Sequence, residues 1–335
     1  MATPALAASP RLADLMAREV VWDNHACMPV RPQDESFLPQ LERCRHAGLD
    51  AVTLNIGFGE MSIEEHIRVC ATMRDWIKRR PDHYVIAGSV EDIRGAKADG
   101  KLAVLFDIEG MRAVDDQPSL VRLYYDLGVR WMLIAYNANN KSGGGCQDED
   151  CGLTDLGRQM LDAMADVGMI TCCSHTGYRT AAEVIDYCKN PVIFSHSNPL
   201  ALWEHRRNIP DDLMQACAAQ GGVIGLNGIG VFLGDVKTET MVRAIDYVVT
   251  LVGPEHVALG LDYMFDTTEI DELIVKMPQA FPASLGYKPG MSIPMVEPEQ
   301  IPAIGDGLLN LGYSDANVAG ILGGNLLRVA GQVWK

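Results

Sequence analysis

Two histidines at the ends of short apolar runs are the residues of this sequence best suited to chemistry. His175 ends the run Met-Ile-Thr-Cys-Cys-Ser-His, and His196 ends the run Pro-Val-Ile-Phe-Ser-His. Both runs are typical of buried strands, so two imidazoles are expected at the same end of one sheet. A single buried histidine is more often structural than functional. Two in matched positions on rigid strand ends indicate a metal site.

Three further residues are predicted to join this cluster: His25, Glu109 and Asp262. They lie at or near the ends of other apolar runs, and are therefore expected at the same end of the sheet as the two histidines. Three imidazoles and one carboxylate leave a coordination position open, which suits catalytic Zn²⁺ or a similar divalent ion. A glutamate between histidines can also bridge two ions, so one or two are expected. Asp262 would take a proton from the attacking water and pass it to a leaving group. The remaining histidines are interpreted as structural: His46, His66, His83, His205 and His256.

The elements that must position these residues are eight continuous apolar runs, separated by amphipathic segments. Runs of this kind are typical of parallel strands buried on both faces, and the strand–helix alternation predicts a (β/α)₈ TIM barrel of the metal-dependent hydrolase type. The predicted helices cover 63–80, 119–128, 156–168 and 239–253, among others. The predicted strands are residues 20–25, 50–56, 102–110, 129–136, 169–175, 191–196, 221–227 and 256–263.

A doubly wound open sheet is the alternative. In such a sheet only the strands near the switch point would carry functional residues. Here polar residues follow most of the runs, which favours the barrel. We expect one domain over residues 1–335, with a long excursion at about 267–302 that fits no helix well and forms an active-site wall or a subunit contact. The polar residues are His25, Glu109, Tyr136, Asn137, His175, His196, Asn227 and Asp262.

The composition of the chain argues against several classes of binding partner. The net charge of −16 argues against nucleic acid and against an anionic membrane surface. No stretch approaches the roughly 20 apolar residues of a membrane span, and the start of the chain lacks the basic residues of a secretory signal. The nine cysteines are scattered and are expected to be mostly free thiols in a reducing cytoplasm, although a loop disulfide between Cys146 and Cys151 is conceivable.

Motifs along nearly the whole chain resemble the membrane (renal) dipeptidase family of zinc peptidases, among the amidohydrolase-like barrels. The stretch 192–212, VIFSHSNPLALWEHRRNIPDD, carries the strongest resemblance. Together the motifs are specific, whereas any one of them alone is weak. The others are Asp23-Asn24-His25, Asp107-Ile108-Glu109-Gly110, Gly152-Leu153-Thr154 followed by Gly157, Ser174-His175, and Gly323-Gly324-Asn325-Leu326-Leu327-Arg328-Val329.

The resemblance implies a role for several residues. It implies that Glu109 bridges two metal ions, with His175 and His196 on one ion and His25 on the other. It implies that Arg207 grips the terminal carboxylate of the substrate, for which a planar guanidinium is well suited. It also implies that Asp262 handles the proton and that the protein is a homodimer.

This chain departs from the family pattern at three places. The family has His-x-Asp on the first strand, where this chain has His25-Ala26-Cys27, and a thiolate can ligate zinc or leave that ion weakly held. The family commonly has His-Asn after the fourth strand, where this chain has Tyr136-Asn137. Both residues are predicted to contact substrate, and the Tyr136 hydroxyl can donate to a developing oxyanion. An aspartate that usually precedes Ser-His is missing within 171–174.

The expectation is a divergent metal-dependent hydrolase that cleaves a peptide or amide bond in a small, carboxylate-bearing, dipeptide-like substrate. One alternative is a different metal-dependent barrel hydrolase or deaminase, although these usually begin with His-x-His on the first strand. A second is a catalytically weakened protein that only binds a small molecule in the same cleft.

Overall fold

Eight parallel strands close into a barrel in the computed structural model, which describes residues 8–335. The barrel follows the order β1-β2-β4-β5-β6-β7-β8-β9, and pairing of Asp23 in β1 with Leu259 in β9 closes it. The predicted TIM barrel is confirmed and the doubly wound sheet is wrong. The strands are β1 (Trp22–Cys27), β2 (Ala51–Phe58), β3 (Tyr84–Ile86), β4 (Leu102–Glu109), β5 (Val129–Leu133), β6 (Ile170–Cys172), β7 (Ile193–Phe194), β8 (Val223–Leu226), β9 (Val257–Leu259) and β10 (Tyr263–Met264).

Helices surround the barrel and connect its strands. Many begin at a capping side chain: the Ser62 hydroxyl accepts from the Glu65 N–H at the start of α3, and Thr154 caps α6 in the same way. The α-helices are α1 (Pro10–Arg18), α2 (Glu42–His46), α3 (Ile63–Lys78), α4 (Val90–Ala98), α5 (Leu120–Asp126), α6 (Asp155–Val167), α7 (Tyr178–Tyr187), α8 (Asp211–Ala219), α9 (Gly230–Leu233), α10 (Thr238–Val252), α11 (Glu269–Lys276), α12 (Ile301–Asn310), α13 (Asp315–Ala319) and α14 (Asn325–Val333).

The interior of the barrel is apolar at the end where the strands begin and polar at the end where they finish. Its apolar part includes Ala103 and Leu105 of β4 and Trp131 of β5, and α14 closes that end by packing Leu326 and Val329 against it. Side chains two residues apart on a strand share a face, so Asp107 and Glu109 continue the same inward row. The rim of the barrel at the carboxyl ends of the strands is therefore polar and buried.

The first strand changes face part of the way along its length. Its pairing with β2 shifts register between Asp23 and Ala26, which is a β-bulge. Trp22 lies on the interior side before the bulge, where its indole N–H donates to Thr53 Oγ1 at 3.0 Å. After the bulge, His25 also points inward, with its ring 5.4 Å from that of Trp131. The irregular strand thus brings His25 to the polar rim.

The excursion after the last barrel strand contains regular structure that the sequence did not predict. Helix α11 occupies Glu269–Lys276, so the expectation of no helix in 267–302 is wrong. The helix has acidic residues in its first turn and Lys276 in its last, an arrangement that suits the helix dipole. Its neighbours, including Phe281 and Met291, line a cleft at the carboxyl end of the barrel, as expected for an active-site wall. Strand β3, which lies outside the closed ring, was also not predicted, and the predicted strand 256–263 is divided into β9 and the start of β10.

Among the helices of residues 8–335, none is long and apolar enough to cross a lipid bilayer.

Candidate active site

Four predicted metal ligands meet at the carboxyl end of the barrel. Glu109 ends β4, His25 lies in β1, and His175 and His196 follow β6 and β7. Glu109 Oε1 lies 3.1 Å from His196 Nε2, 3.2 Å from His175 Nε2 and 3.7 Å from His25 Nε2. The Nε2 atoms of His175 and His196 are 2.9 Å apart. All four side chains are buried, so four potential ligand atoms face one small volume.

The opposite nitrogen of each imidazole is held by a hydrogen bond. His25 Nδ1 lies 3.0 Å from Asp107 Oδ2, His175 Nδ1 lies 2.7 Å from Asn137 Oδ1, and His196 Nδ1 lies 2.7 Å from Ser195 Oγ. These contacts fix the orientation of the three rings, and acceptors at Nδ1 favour the tautomer whose Nε2 lone pair faces inward. This is the usual environment of a histidine that binds a metal ion.

Burial changes the protonation of the cluster. Desolvation, together with the charges of Arg207 and His25, lowers the pKa of His175 and of His196 well below 6.5. Both imidazoles are therefore neutral at pH 7 and can act as electron-pair donors. Desolvation raises the pKa of Glu109 to about 8. For His25, burial opposes protonation, but Asp107 and its other neighbours raise the pKa well above 6.5.

The residues present fit a divalent metal ion. Glu109 Oε1 is buried without a hydrogen-bond partner, which is costly unless a positive group satisfies it. Ligands at Zn–N and Zn–S bond lengths of about 2.0–2.3 Å around a tetrahedral ion lie roughly 3.3–3.8 Å apart. Most separations between the donors of this cluster are close to that range. Glu109, His25 and His196 form one of the two donor groups within residues 8–335 that could hold an ion.

The second donor group contains the cysteine that stands in the family's aspartate position. Cys27 Sγ lies 3.5 Å from His25 Nε2 and 3.5 Å from Asp262 Oδ1, and these last two atoms are 3.3 Å apart. The structure thus brings together His25 and Cys27, as the period-2 spacing predicted. The two donor groups share His25 and lie side by side.

Asp262 and Arg207 lie beside these donors. Asp262 Oδ2 accepts a hydrogen bond of 2.9 Å from Asn227 Nδ2, which leaves Oδ1 facing His25. Arg207 is only 2% exposed and donates from Nη2 to the carbonyl of His196 at 3.3 Å, and its Nε has no hydrogen-bond partner. A buried guanidinium with a free N–H is suited to an anionic ligand.

Tyr136 and Asn137, both predicted to contact substrate, line the same cleft. The ring of Tyr136 stacks on His175 with centroids 4.2 Å apart, and burial raises the pKa of its hydroxyl well above 10. The side-chain amide of Asn137 is engaged at both ends, because Oδ1 faces His175 and Nδ2 donates to the carbonyl of Ala280 at 3.0 Å. The structure therefore gives Asn137 a positioning contact, and its contact with substrate stays a prediction.

The backbone is strained where the site residues leave the strands. Asn137, His175 and Asp262 have φ of 56°, 60° and 56°, in the left-handed region that residues with a Cβ seldom adopt. Glycines nearby allow an unusually close approach: a Cβ on Gly225 or Gly260 would lie 2.1 or 1.9 Å from the carbonyl oxygen of Ser195. The chain accepts this geometry after the ends of β5, β6 and β9, where it aims polar side chains inward.

A cleft of about 870 Å³ opens above the donors. The polar groups lie on its floor, and its walls are formed largely by apolar side chains after β8 and β10. Sequence reasoning named the segment 267–302 as an active-site wall or a subunit contact, but it missed the wall residues after β8, and it missed Asp107 and Ser195 as partners of histidines. Asp107 could have been found from its spacing of two residues from Glu109 on one strand. The apolar lining includes Phe58, Ile229, Phe232, Met264, Leu273 and Phe281.

The five histidines interpreted as structural contribute no ligand atom to either donor group. His205 nevertheless borders the site, since its Nδ1 accepts a hydrogen bond of 3.0 Å from the backbone N–H of Arg207. All nine cysteines are free, so the conceivable Cys146–Cys151 disulfide is not formed.

The chain is similar to known dipeptidases in sequence and to several hydrolases in structure. Residues 15–277 match the model of the membrane dipeptidase family, peptidase family M19. Dipeptidase aclJ of Aspergillus oryzae is 30% identical over 267 residues, which are 77% of this chain and 58% of that protein. This chain spans between 44% and 62% of the length of the curated relatives to which it is similar.

Two solved structures extend the similarity over nearly the whole chain. An amidohydrolase from Pseudomonas aeruginosa superposes with a TM-score of 0.87 at 26% identity, over 96% of this chain and 99% of that one. A metallopeptidase from Rhodobacter sphaeroides, solved with a phosphinate mimic of the dipeptide L-Ala-D-Ala, has a TM-score of 0.75 at 17% identity, over 94% of this chain and 99% of that one. At that identity the second similarity concerns the fold alone.

Proposed function

The chain belongs to the membrane dipeptidase family, peptidase family M19, and on this premise we propose that it is a metal-dependent hydrolase of a small dipeptide. One observation carries the proposal: three imidazole Nε2 atoms surround the buried, unpartnered Oε1 of Glu109. Such a set of donors is a typical site for zinc or a similar divalent ion. A bound ion would supply Lewis acidity toward the amide carbonyl and toward a water molecule.

The residues proposed to hold the ion or ions are His25, Glu109, His175 and His196, with Cys27 as a further donor. Their orientation does not depend on the ion, because Asp107, Asn137 and Ser195 already fix the three rings. A preorganised donor set of this kind needs little rearrangement on binding. This supports zinc as the cofactor without deciding between one ion and two.

Arg207 is proposed to bind the carboxylate of the substrate. Its guanidinium is buried beside the floor of the cleft, and its free Nε can donate to one carboxylate oxygen while another N–H donates to the second. The ring of Phe232 lies 5.3 Å from the guanidinium carbon and limits the orientations that the side chain can adopt. The scissile amide is thereby held over Glu109 and Asp262.

Asp262 and Tyr136 are proposed to act on the reacting groups. Asp262 Oδ1 faces the donors and can take a proton from the attacking water and return it to the departing amine, while Asn227 holds Oδ2. Burial keeps the Tyr136 hydroxyl protonated at neutral pH, so it can donate a hydrogen bond to the oxyanion that develops on the carbonyl.

A panel of dipeptides tests this function. The purified protein, supplied with Zn²⁺, Mn²⁺ or Co²⁺, is expected to release free amino acids from at least some members, in either stereochemistry of the second residue. Binding of dipeptides without turnover under any metal would contradict the proposal and favour the alternative of a binding protein. The replacement of the family's carboxylate by Cys27 and of its histidine by Tyr136 is the observation behind that alternative.

Arg207→Lys tests the grip on the carboxylate. Lysine keeps the positive charge but cannot donate the two parallel hydrogen bonds of a guanidinium. KM is therefore expected to rise by roughly tenfold or more, while kcat falls less. The exposed neighbour Arg206 provides the matched control, and Arg206→Ala is expected to leave KM within about twofold. Equal effects of the two substitutions would remove Arg207 from the site.

A cytoplasmic location and a homodimer are also part of the proposal. Nine free cysteines support a reducing compartment. Light scattering of the purified protein tests the homodimer, for which a mass twice that of the chain is expected.

A further inference from the structure

The walls of the cleft carry more information about the substrate than its floor. Few charged side chains line the cleft: Glu109, Arg207 and Asp262 at the floor, and Asp266 and Glu269 at the rim. The groups at the floor already have proposed roles: binding the metal ion, binding the substrate carboxylate and transferring the proton. What remains is a wide apolar surface supplied by two segments, residues 229–232 and 264–293. These walls have no part in the chemistry and therefore bear on recognition.

The rim carboxylates are engaged and cannot easily bind a polar substrate group. Glu269 accepts hydrogen bonds from the backbone N–H of Val30 at 3.0 and 3.3 Å, and its Oε1 lies 3.8 Å from the Arg31 guanidinium. Asp266 lies 3.6 Å from another nitrogen of Arg31. Thr268 also donates to Asp266 Oδ1 from its backbone N–H at 3.0 Å and from its hydroxyl at 2.7 Å, so the oxygens of both acids already have partners. A charged substrate side chain would lose its water without gaining an unengaged partner at this rim.

The apolar wall is joined directly to the reacting centre. Phe281 packs edge-on against Tyr136 with centroids 6.2 Å apart, and Tyr287 packs against Phe281 with centroids 5.5 Å apart. Phe281 is only 5% exposed, and the hydrogen bond from Asn137 to the carbonyl of Ala280 holds it in place. On the opposite segment, Phe232 covers Arg207. A substrate held by its carboxylate and its amide must therefore lay its side chains against aromatic and aliphatic surface.

We propose that the preferred substrates are dipeptides with large apolar side chains, selected by the wall around Phe281 and Phe232; this inference rests on the proposed function. Leucine, methionine and phenylalanine side chains fit the chemistry of the wall. Aspartate, glutamate, lysine and arginine side chains do not, because their charges would be desolvated without compensation. Small side chains are accepted, but they leave most of the apolar surface unused.

Kinetics with a matched series of dipeptides tests the inference. The series Ala-Ala, Leu-Leu, Phe-Leu, Asp-Leu and Lys-Leu varies side-chain size and charge at a constant backbone, and each is used in the L,L and L,D forms. A hydrophobic pocket discriminates by roughly 10–200-fold per methylene group. We expect kcat/KM for Leu-Leu to exceed that for Ala-Ala by at least about tenfold, and that for Asp-Leu or Lys-Leu by about a hundredfold. Equal kcat/KM values across the series would overturn the inference.

The wall itself is tested by substitution. Phe281→Ala is expected to reduce the preference for Leu-Leu over Ala-Ala, measured as the ratio of their kcat/KM values, to about threefold or less. Val275→Ala is the control, since Val275 lies on the same segment but is 70% exposed, and it is expected to keep the preference. If Phe281→Ala does not fold, Met291→Lys serves instead: it places a cation in the half-buried lining and is expected to raise kcat/KM for Asp-Leu. An unchanged preference in the variant that folds would contradict the inference.

The failure of this inference is distinguishable from the failure of the proposed function. If no dipeptide is cleaved, the proposed function is wrong, and calorimetric Kd values for the same series then test the wall. Tighter binding of Leu-Leu than of Ala-Ala and Asp-Leu supports apolar selection, and indifference contradicts it. If all dipeptides are cleaved equally well, the function stands and the apolar selection is wrong.

Discussion

Cys27 stands where the family pattern has an aspartate, so the protonation of its thiol affects the charge of the site. Burial raises the pKa of the Cys27 thiol, and Asp262 and Glu109 raise it further against the opposing effect of His25. The thiol is therefore neutral unless a cation stabilises the thiolate, as metal coordination does. The protonation of the donors around His25 thus depends more on a bound metal ion than the protonation of the donors around His196 does.

Substitution of Cys27 is expected to change the number of bound ions. If the thiolate is a ligand, the wild-type protein binds two equivalents of Zn²⁺, Cys27→Ala binds one, and Cys27→Asp again binds two. Metal content after gel filtration, measured by mass spectrometry, provides the count. Cys151→Ala, which removes an exposed cysteine, is the control. Fewer than two equivalents in the wild type, unchanged in Cys27→Ala, would contradict a two-ion site.

At the scale of residues, position relative to the strands made part of the site predictable. His175 and His196 were identified because each ends an apolar run, and parallel strands end on the same side of a barrel. Partners such as Ser195, which neighbours its histidine in sequence, carry no signal of their own. The two contacts of Asn137 could not be predicted at all, since one of them reaches a backbone carbonyl 143 residues away.

Helix α11 is the element that links the cleft wall to the barrel. Its first residue, Glu269, accepts the hydrogen bond from Val30, so the helix is tied to the loop after β1. Burial raises the pKa of Glu269 from 4.5 to about 7, and Asp266 and Glu272 add to this, while Arg31 opposes it. In the folded protein this carboxyl keeps its proton at pH values where the unfolded chain has lost it.

The stability of the protein is therefore expected to include a term from Glu269 that decreases as the pH rises. Between pH 4.5 and 7 the folded state binds the extra proton, so the free energy of unfolding falls with pH in that range. Glu269→Gln keeps an acceptor for Val30 and removes the ionisation. Relative to wild type, it should gain about 1–3 kcal/mol between pH 4.5 and 7.5.

Urea unfolding at several pH values measures this difference. Glu239→Gln, at an exposed glutamate in the first turn of α10, is the control and should run parallel to wild type. Parallel curves for Glu269→Gln as well would mean that the carboxyl titrates normally in the folded protein.

Elements differed in how far they could be predicted. The eight barrel strands were found because each is a continuous apolar run buried on both faces. Strands β3 and β10, of three and two residues, are too short to give a pattern. Helix α11 was missed because its eight residues are flanked by Pro and Gly-rich chain, although its charges follow the helix dipole.

The whole molecule is a packed barrel whose apolar lower core lies beneath the site and touches it at Trp131. Ala103, Leu105 and Trp131 fill the interior, and α14 closes it. The polar layer above this core holds three imidazoles and several carboxylates at close range, which favours the folded state only when their charges and lone pairs are satisfied. The barrel is thus expected to remain folded without metal, but to be less stable.

Removal of metal is expected to lower the melting temperature. An ion that binds only the folded state stabilises it by about 3–4 kcal/mol at 100–1,000 times its Kd. For a chain of this size we expect chelation to lower Tm by the order of 5 °C, and added Zn²⁺ to restore it. In Glu109→Gln the shift should be much smaller. Identical melting curves with and without chelator would contradict a tightly held ion.

The amide of Asn137 joins two parts of the molecule that otherwise serve different purposes. One end contacts the imidazole of His175, and the other holds the carbonyl of Ala280 beside Phe281. If the wall moves outward to admit a bulky ligand, one of the two hydrogen bonds of Asn137 must lengthen or break, or the imidazole of His175 must turn with the wall. We therefore expect a ligand that moves the wall beside Ala280 also to change the orientation of the His175 imidazole.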